Sequence, residues 1–195
     1  MGDHYYTEKP LSREDLKKIK ISIRGDSFEL LSASGLFSKH ELDKATQLLI
    51  ENARIHGNKV LDLGCGYGVV GIALLRLNPD LSVSFSDVNE RALRLTKKNL
   101  EKHKLKGAII KSDLFENVAE KFDVILSNPP YAAGRDVCFK LIEDSYKHLN
   151  KKGSLQLVAR HNKGGKMLSQ KIEEVFGNVK DVAKKGGFRV YLGVK

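Results

Sequence analysis

Val60-Leu61-Asp62-Leu63-Gly64-Cys65-Gly66-Tyr67-Gly68 is a short apolar run that passes into three glycines at alternate positions. Val60 to Leu63 reads as a buried strand, and Val69 to Leu77 as a helix stopped near Asn78-Pro79. Glycines between a strand and a helix let the backbone turn tightly and let a ligand approach the main chain. A plain tight turn has the same composition. The strand before it, the acidic Asp62 inside it and the helix after it favour a nucleotide-type site, with Asp62, Gly64, Gly66 and Gly68 facing the ligand. Cys65 and Tyr67 read as spacers.

Outward from this loop, strands and helices alternate. Leu81 to Ser86 reads as a strand, and Asn89 caps a helix through Leu100 with Ala92, Leu95 and Leu100 on its inner side. Gly107 to Lys111 and Phe122 to Ser127 are strands, Val137 to Leu149 a helix, Ser154 to Arg160 a strand. Lys166 to Phe176 is a helix with Gly177 in the stop position. Val179 to Ala183 and Phe188 to Val194 close the series. Alternation predicts an α/β fold, a Rossmann-like, doubly wound, seven-stranded and mostly parallel sheet. Only Lys184 to Gly187 separates the last two strands, too short a link for a crossover, so one C-terminal strand is antiparallel.

Upstream, Lys20 to Arg24 and Phe28 to Leu31 predict a small β-annex with its turn at Gly25-Asp26. Ser38 with Glu41 predicts a capping box, Phe37 with Leu42 its hydrophobic staple, and Leu42, Ala45, Leu49 and Ala53 a helical face. The expected organisation is a single domain over 1–195, with 1–37 as N-terminal extension and annex and 38–195 as catalytic core.

The chain has 195 residues and a formal net charge of +10. That excess suits a polyanionic partner such as RNA or DNA, and it equally suits a lysine-rich solvated surface. No apolar run is long enough to span a bilayer, and the polar, aromatic start is unlike a signal peptide, so a cytoplasmic location is expected. Two cysteines, Cys65 and Cys138, and scattered histidines match no metal-ligand spacing, so no metal is expected. Monomer and dimer both stay open.

Three further elements fall at carboxyl ends of strands, where open α/β sheets bind ligands. Asp87, followed by Val88, lies about 20 residues beyond the glycine loop, where a carboxylate accepts both ribose hydroxyls of an adenosine-containing cofactor. Its alternative is a helix cap, a role that Asn89 already fills. Asp113, followed by Leu114, suits an adenine amino group, or is a solvated loop residue. In Asn128-Pro129-Pro130-Tyr131, two prolines fix φ and remove two donors. The Asn128 side chain and the Pro129 carbonyl can then hold an aryl amine by both hydrogens, and Tyr131 offers a stacking face; a proline-rich turn with a core aromatic is the alternative.

Together these residues resemble the class I S-adenosylmethionine methyltransferases: Asp62 to Gly68 is similar to their cofactor loop, and Asn128 to Tyr131 to the catalytic motif of their amino-methylating branch. Within it the chain resembles the small-subunit ribosomal RNA guanine-N2 methyltransferases in a short, single-domain form. His4-Tyr5-Tyr6, Glu8-Lys9-Pro10, Gly35 to Ser38, Leu42 to Thr46 and Lys185 to Val190 extend that similarity along the chain. Tyr131-Ala132 stands where the guanine enzymes carry Phe-His. The resemblance implies S-adenosylmethionine as cofactor, bound by Asp62, Gly64, Gly66, Gly68, Asp87, Val88, Asp113, Leu114 and Asn128. It implies catalysis by Asn128, Pro129, Pro130 and Tyr131, and methylation of guanine N2 in RNA. Adenine N6 and protein glutamine are the alternative acceptors. Tyr131, Arg135, Lys163 and Lys166 are the expected substrate contacts, with Lys184, Lys185 and Arg189 as further phosphate candidates.

Overall fold

The computed structural model describes residues 16–33, 42–129 and 134–195. Strands β1 (Leu16–Ile23) and β2 (Asp26–Ala33) form a two-stranded antiparallel hairpin. Ile19, Ile21 and Ile23 point inward while Lys18 and Lys20 face water, the alternation expected of a half-buried sheet. The turn is Arg24-Gly25, with φ of 49° and 85°, one residue earlier than the Gly25-Asp26 expected. A type I′ two-residue hairpin turn has positive φ at both centres, as these two residues do, and Asp26 is instead paired with Ile23 in the ladder.

Helix α1 runs over Lys44–Asn52. The expected capping box at Ser38 and Glu41 lies outside the described residues. The described helix is capped by Asp43, whose Oδ1 accepts from the Ala45 and Thr46 amides at 3.0 Å each. Leu42 therefore precedes the helix and Ala53 is its C-cap.

The main sheet contains β3 (Lys59–Leu63), β4 (Ser82–Asp87), β5 (Ala108–Lys111), β6 (Phe122–Ser127), β7 (Leu149–Arg160), β8 (Lys180–Lys185) and β9 (Phe188–Val194). Their order is β5-β4-β3-β6-β7-β9-β8, and β9 is antiparallel to both neighbours; the Gly186-Gly187 link leaves only the antiparallel pairing of β8 with β9. Helices α2 (Val69–Leu77), α3 (Glu90–Lys102), α4 (Arg135–Lys147) and α5 (Lys166–Phe176) complete the alternation. Asn89 caps α3, its Oδ1 accepting from Arg91 and Ala92. Two shifts from expectation stand out. Helix α4 starts at Arg135 rather than Val137. Strand β7 starts at Leu149 rather than Ser154, because Leu149 pairs with Phe122 before an irregular stretch reaches Ser154.

The hydrophobic core has two parts. One contains α1, α2, α3 and the annex, with Ile21, Leu49, Ile72, Phe85 and Leu95 buried in it. The other contains α4 and α5, with Leu61, Ile125, Leu141, Leu157 and Ile172. Alternate residues of one strand, Val60 and Leu61, feed different parts, which is the signature of a sheet covered on both faces. The annex is tied to the first part by a bidentate Arg76–Asp26 pair (2.6 and 2.8 Å) and by Asn99, which bonds both the N–H and the C=O of Leu31. No helix among the described residues is long and apolar enough to cross a membrane.

Candidate active site

The glycine loop lies at the carboxyl edge of the sheet, between β3 and α2. Gly64, Gly66 and Gly68 all have positive φ (71°, 58° and 84°), which L-residues adopt at a cost. At Gly68 space is also closed: an added Cβ would sit 2.9 Å from Thr96 Cγ2 on α3. At Gly64 nothing lies within 4 Å, so this main chain is open to a ligand. Cys65 and Tyr67 are more than spacers. Both are buried, Thr96 Oγ1 and Cys65 Sγ are 3.7 Å apart, and the Tyr67 carbonyl accepts from Asn99 at 2.9 Å. They anchor the loop from beneath while the glycines turn it.

Asp62 and Asp87 stand behind this loop, each almost fully buried. Asp62 Oδ2 accepts from the Gly71 amide at 2.9 Å. That amide belongs to the first turn of α2, whose N-cap, Gly68, has no side chain to offer. A dinucleotide-binding fold places a pyrophosphate at this helix end; here a carboxylate bonds there. Burial, with Asp87 nearby, pushes the Asp62 carboxyl up to about 7. Asp87 Oδ2 accepts from Gly66 and Oδ1 from Asn89, both at 2.9 Å. A carboxylate has about four lone-pair sites, so these bonds do not exhaust it. Val88, beside it, is half-buried.

Asn128 follows β6 and is half-buried. Its Nδ2 donates to Thr46 Oγ1 at 3.0 Å, across 82 positions of sequence. Thr46 is buried on the first turn of α1, placed there by the Asp43 cap. With the amide nitrogen so engaged, the Asn128 carbonyl oxygen is left as the acceptor. Asp43, Thr46, Asp62, Gly64, Gly66 and Asn128 line one cleft. Pro129 is buried; Pro130 and Tyr131 lie outside the described residues. Thr46 and Asp43 escaped the sequence reasoning. The available signal was Asp43 standing just before an apolar helical period, the place for an N-cap.

The other expected residues are more scattered. Asp113 is exposed at the end of β5, its carbonyl accepting from Glu116, and Leu114 has a φ of 47°. Arg135 is exposed at the start of α4, 3.6 Å from Asp136. Lys163 and Lys166 are exposed in the turn after β7 and at the start of α5. Lys184 and Arg189 both pair with Asp181, at 3.0 and 2.7 Å.

The charge around the cleft discriminates among cofactors. Among its described lining residues the ionisable carboxylates are Asp43 and Asp62, and there is no lysine or arginine. Such a wall repels a pyrophosphate and attracts a cation. S-adenosylmethionine carries a sulfonium and an ammonium, and its ribose offers two hydroxyls to an acceptor such as Asp87. The residues present therefore fit it. Fold and cleft together suit an enzyme of the class I S-adenosylmethionine-dependent methyltransferase type.

Residues 27–192 match the family described as methyltransferase small domain, and the chain belongs to that family. It is 38% identical to YbxB of Bacillus subtilis over 201 residues, covering 100% of both chains. It is 35% identical to ribosomal RNA small subunit methyltransferase C of Actinobacillus pleuropneumoniae, covering 97% of this chain and 59% of the relative. Among solved structures it is similar to the Thermus thermophilus 16S rRNA N2 G1207 methyltransferase in complex with AdoMet and guanosine. That match has a TM-score of 0.79 and 25% identity, and covers 96% of this chain and 52% of the other. The chain thus spans little more than half the length of these ribosomal RNA methyltransferases. It is an S-adenosylmethionine-dependent methyltransferase.

Proposed function

We propose that this enzyme methylates an exocyclic amine of a nucleobase in RNA, with guanine N2 of ribosomal RNA as acceptor, in the cytoplasm. The observation that carries the reading is the Asn128 amide, held by Thr46 in the same cleft as the glycine loop. The relatives that act on ribosomal RNA and the net charge of +10 support the choice of RNA.

S-adenosylmethionine supplies an electrophilic methyl group on a sulfonium. The protein's task is to make a poor nucleophile attack it, because an aryl amine delocalises its lone pair into the ring. The Asn128 side-chain oxygen and the Pro129 carbonyl accept the two amine hydrogens and favour a more pyramidal nitrogen. Such positioning and preorganised polarity lower a barrier by several kcal/mol. Tyr131 stacks on the base, Asp113 and Leu114 flank the adenine, and Asp87 with Val88 receives the ribose. Arg135, Lys163 and Lys166 meet phosphates. The amine proton is lost after transfer, so no tuned base is required. A base within a duplex must first be unstacked.

The experiment is to supply methyl-labelled S-adenosylmethionine with total RNA or total protein and to digest the labelled RNA to nucleosides. N2-methylguanosine is the expected product. N6-methyladenosine would move the acceptor to adenine, and label in protein glutamine would remove RNA as substrate.

Asp62 gives the reading a pH signature. Its folded-state carboxyl titrates at about 7, raised from an ordinary 3.8. Between these values the folded chain binds more protons than the unfolded one, so this group's contribution to stability falls as pH rises from about 4 to about 7. A cationic cofactor favours the ionised form. Affinity for S-adenosylmethionine should therefore drop as pH falls below about 7, with proton release on binding. Calorimetry in buffers of different ionisation enthalpy measures that release, and Asp62→Asn should abolish it. Proton-neutral binding by the unmodified chain at pH about 6 would show that Asp62 does not sense the cofactor's charge.

A further inference from the structure

A second cavity, of about 240 Å³, lies between α1 and the β8–β9 turn. Lys44, Gln47, Leu48 and Glu51, one face of α1, form its first wall, and Lys185 and Phe188 its second. Helix α1 is the wall it shares with the cofactor cleft, since Asp43 and Thr46 line that cleft from the same first turn. Sheet register places the cavity on the catalytic edge. Strand β9 is antiparallel, so Phe188, its first residue, pairs with Arg160, the last residue of β7. The β8–β9 turn therefore stands at the same sheet edge as Gly64 and Asn128.

The walls combine two cations, an aromatic ring and a glutamine–glutamate pair. Lys44 and Lys185 are exposed, and neither has an ion partner among the described residues. Lys184 and Arg189, by contrast, are both engaged by Asp181. The Phe188 ring offers an aromatic surface and carries the Arg160 guanidinium 5.1 Å from its centroid. Gln47 donates to Glu51 at 2.8 Å; the glutamate's remaining lone pairs suit the N–H groups of a base edge. A cavity of this size is below the range for drug-sized ligands and suits one base.

We propose that this cavity binds a nucleotide of the substrate RNA adjoining the methylated one, its base against Phe188 and Leu48 and its phosphates on Lys44 and Lys185. The inference rests on the reading that the acceptor is RNA and adds where the strand is gripped. Arg135, Lys163 and Lys166 lie on other elements, so a strand held at α1 crosses the catalytic edge rather than ending at it.

The probe is a fluorescein-labelled, single-stranded, mixed-sequence oligoribonucleotide of ten nucleotides, titrated by anisotropy at several salt concentrations. Two lost phosphate contacts on a single strand reduce the log–log salt slope by about 1.4, so the Lys44→Gln/Lys185→Gln double variant should show a flatter slope and weaker binding. Phe188→Leu, which keeps apolar bulk but removes the stacking face, should weaken binding about tenfold with the slope unchanged. Both variants should bind S-adenosylmethionine as the unmodified protein does, which also verifies their fold. Failure of the unmodified protein to bind the oligonucleotide, or unchanged affinity and slope in both variants, overturns the proposal. The two readings fail separately. Methylated RNA together with unaltered oligonucleotide binding by the variants removes this cavity alone. Methyl transfer to protein in place of RNA removes both.

Discussion

Asn128→Ala is expected to lower kcat by about a hundredfold to a thousandfold while S-adenosylmethionine affinity stays nearly unchanged. Removal of one preorganised hydrogen-bonding group from a reacting centre costs on the order of that factor elsewhere. Asn128 is proposed to act on the acceptor amine, so its loss should fall on turnover rather than on cofactor binding. The bond from Asn128 Nδ2 to Thr46 Oγ1, 3.0 Å, fixes which end of the amide would face the proposed acceptor. Thr46→Val keeps the shape and removes the hydroxyl. It should lower kcat by about tenfold, because a rotated amide offers its donor where an acceptor is needed. Thr46→Ser should restore the rate. Steady-state kinetics with the cofactor KM determined separately checks all three variants. Wild-type turnover in Asn128→Ala would end the amine-orienting role, and a Thr46→Val effect confined to the cofactor KM would reassign Thr46 to the cofactor.

Asp87→Ala is the second large effect. In the folded chain the carboxylate bonds the amides of Gly66 and Asn89, both at 2.9 Å, and is almost fully buried. Its removal leaves two buried N–H groups without an acceptor, at about 1–3 kcal/mol each. For a chain of this size the melting temperature should fall by roughly 5 °C or more. Cofactor affinity should fall further than that, by about a hundredfold, if the carboxylate also receives the ribose hydroxyls, since hydrogen bonds to a charged group contribute about 1.5–3 kcal/mol. Calorimetric titration well below the melting point separates the effects. A variant that melts early yet binds S-adenosylmethionine normally would place the ribose elsewhere and leave Asp87 as a support for the glycine loop.

Much of this architecture is written locally. Helices α2 and α5 occupy Val69–Leu77 and Lys166–Phe176, the limits that periodicity and the flanking Asn78-Pro79 and Gly177 predict. Asn89 caps α3 because a short polar side chain there satisfies amides within its own turn. The glycine loop and Asn128 fall at strand ends because strand–loop–helix order alone puts them there. Where neighbouring signals mislead, the errors are local too. The polar Lys151-Lys152-Gly153 hides that β7 has already begun at Leu149, and a turn centred on Gly25-Asp26 is displaced by one residue to Arg24-Gly25.

The sequence by itself thus determined an α/β alternation, a glycine loop at one strand end, an Asn-Pro-Pro segment at another and an antiparallel last strand, each specified by residues a few positions apart. Only the tertiary structure decided the strand order β5-β4-β3-β6-β7-β9-β8, the Thr46 hydroxyl behind Asn128, the Asp62 carboxylate on the α2 amide and the cavity between Lys44 and Lys185. The Thr46 contact and the cavity depend on how α1 settles against β7, β8 and β9. That docking is set by the summed burial of many side chains, such as Leu48, Leu49 and Val190, and no short spacing records it. Capping and turn chemistry act within one turn of chain, whereas a hydrogen bond across 82 positions exists only once the packing has brought its partners together.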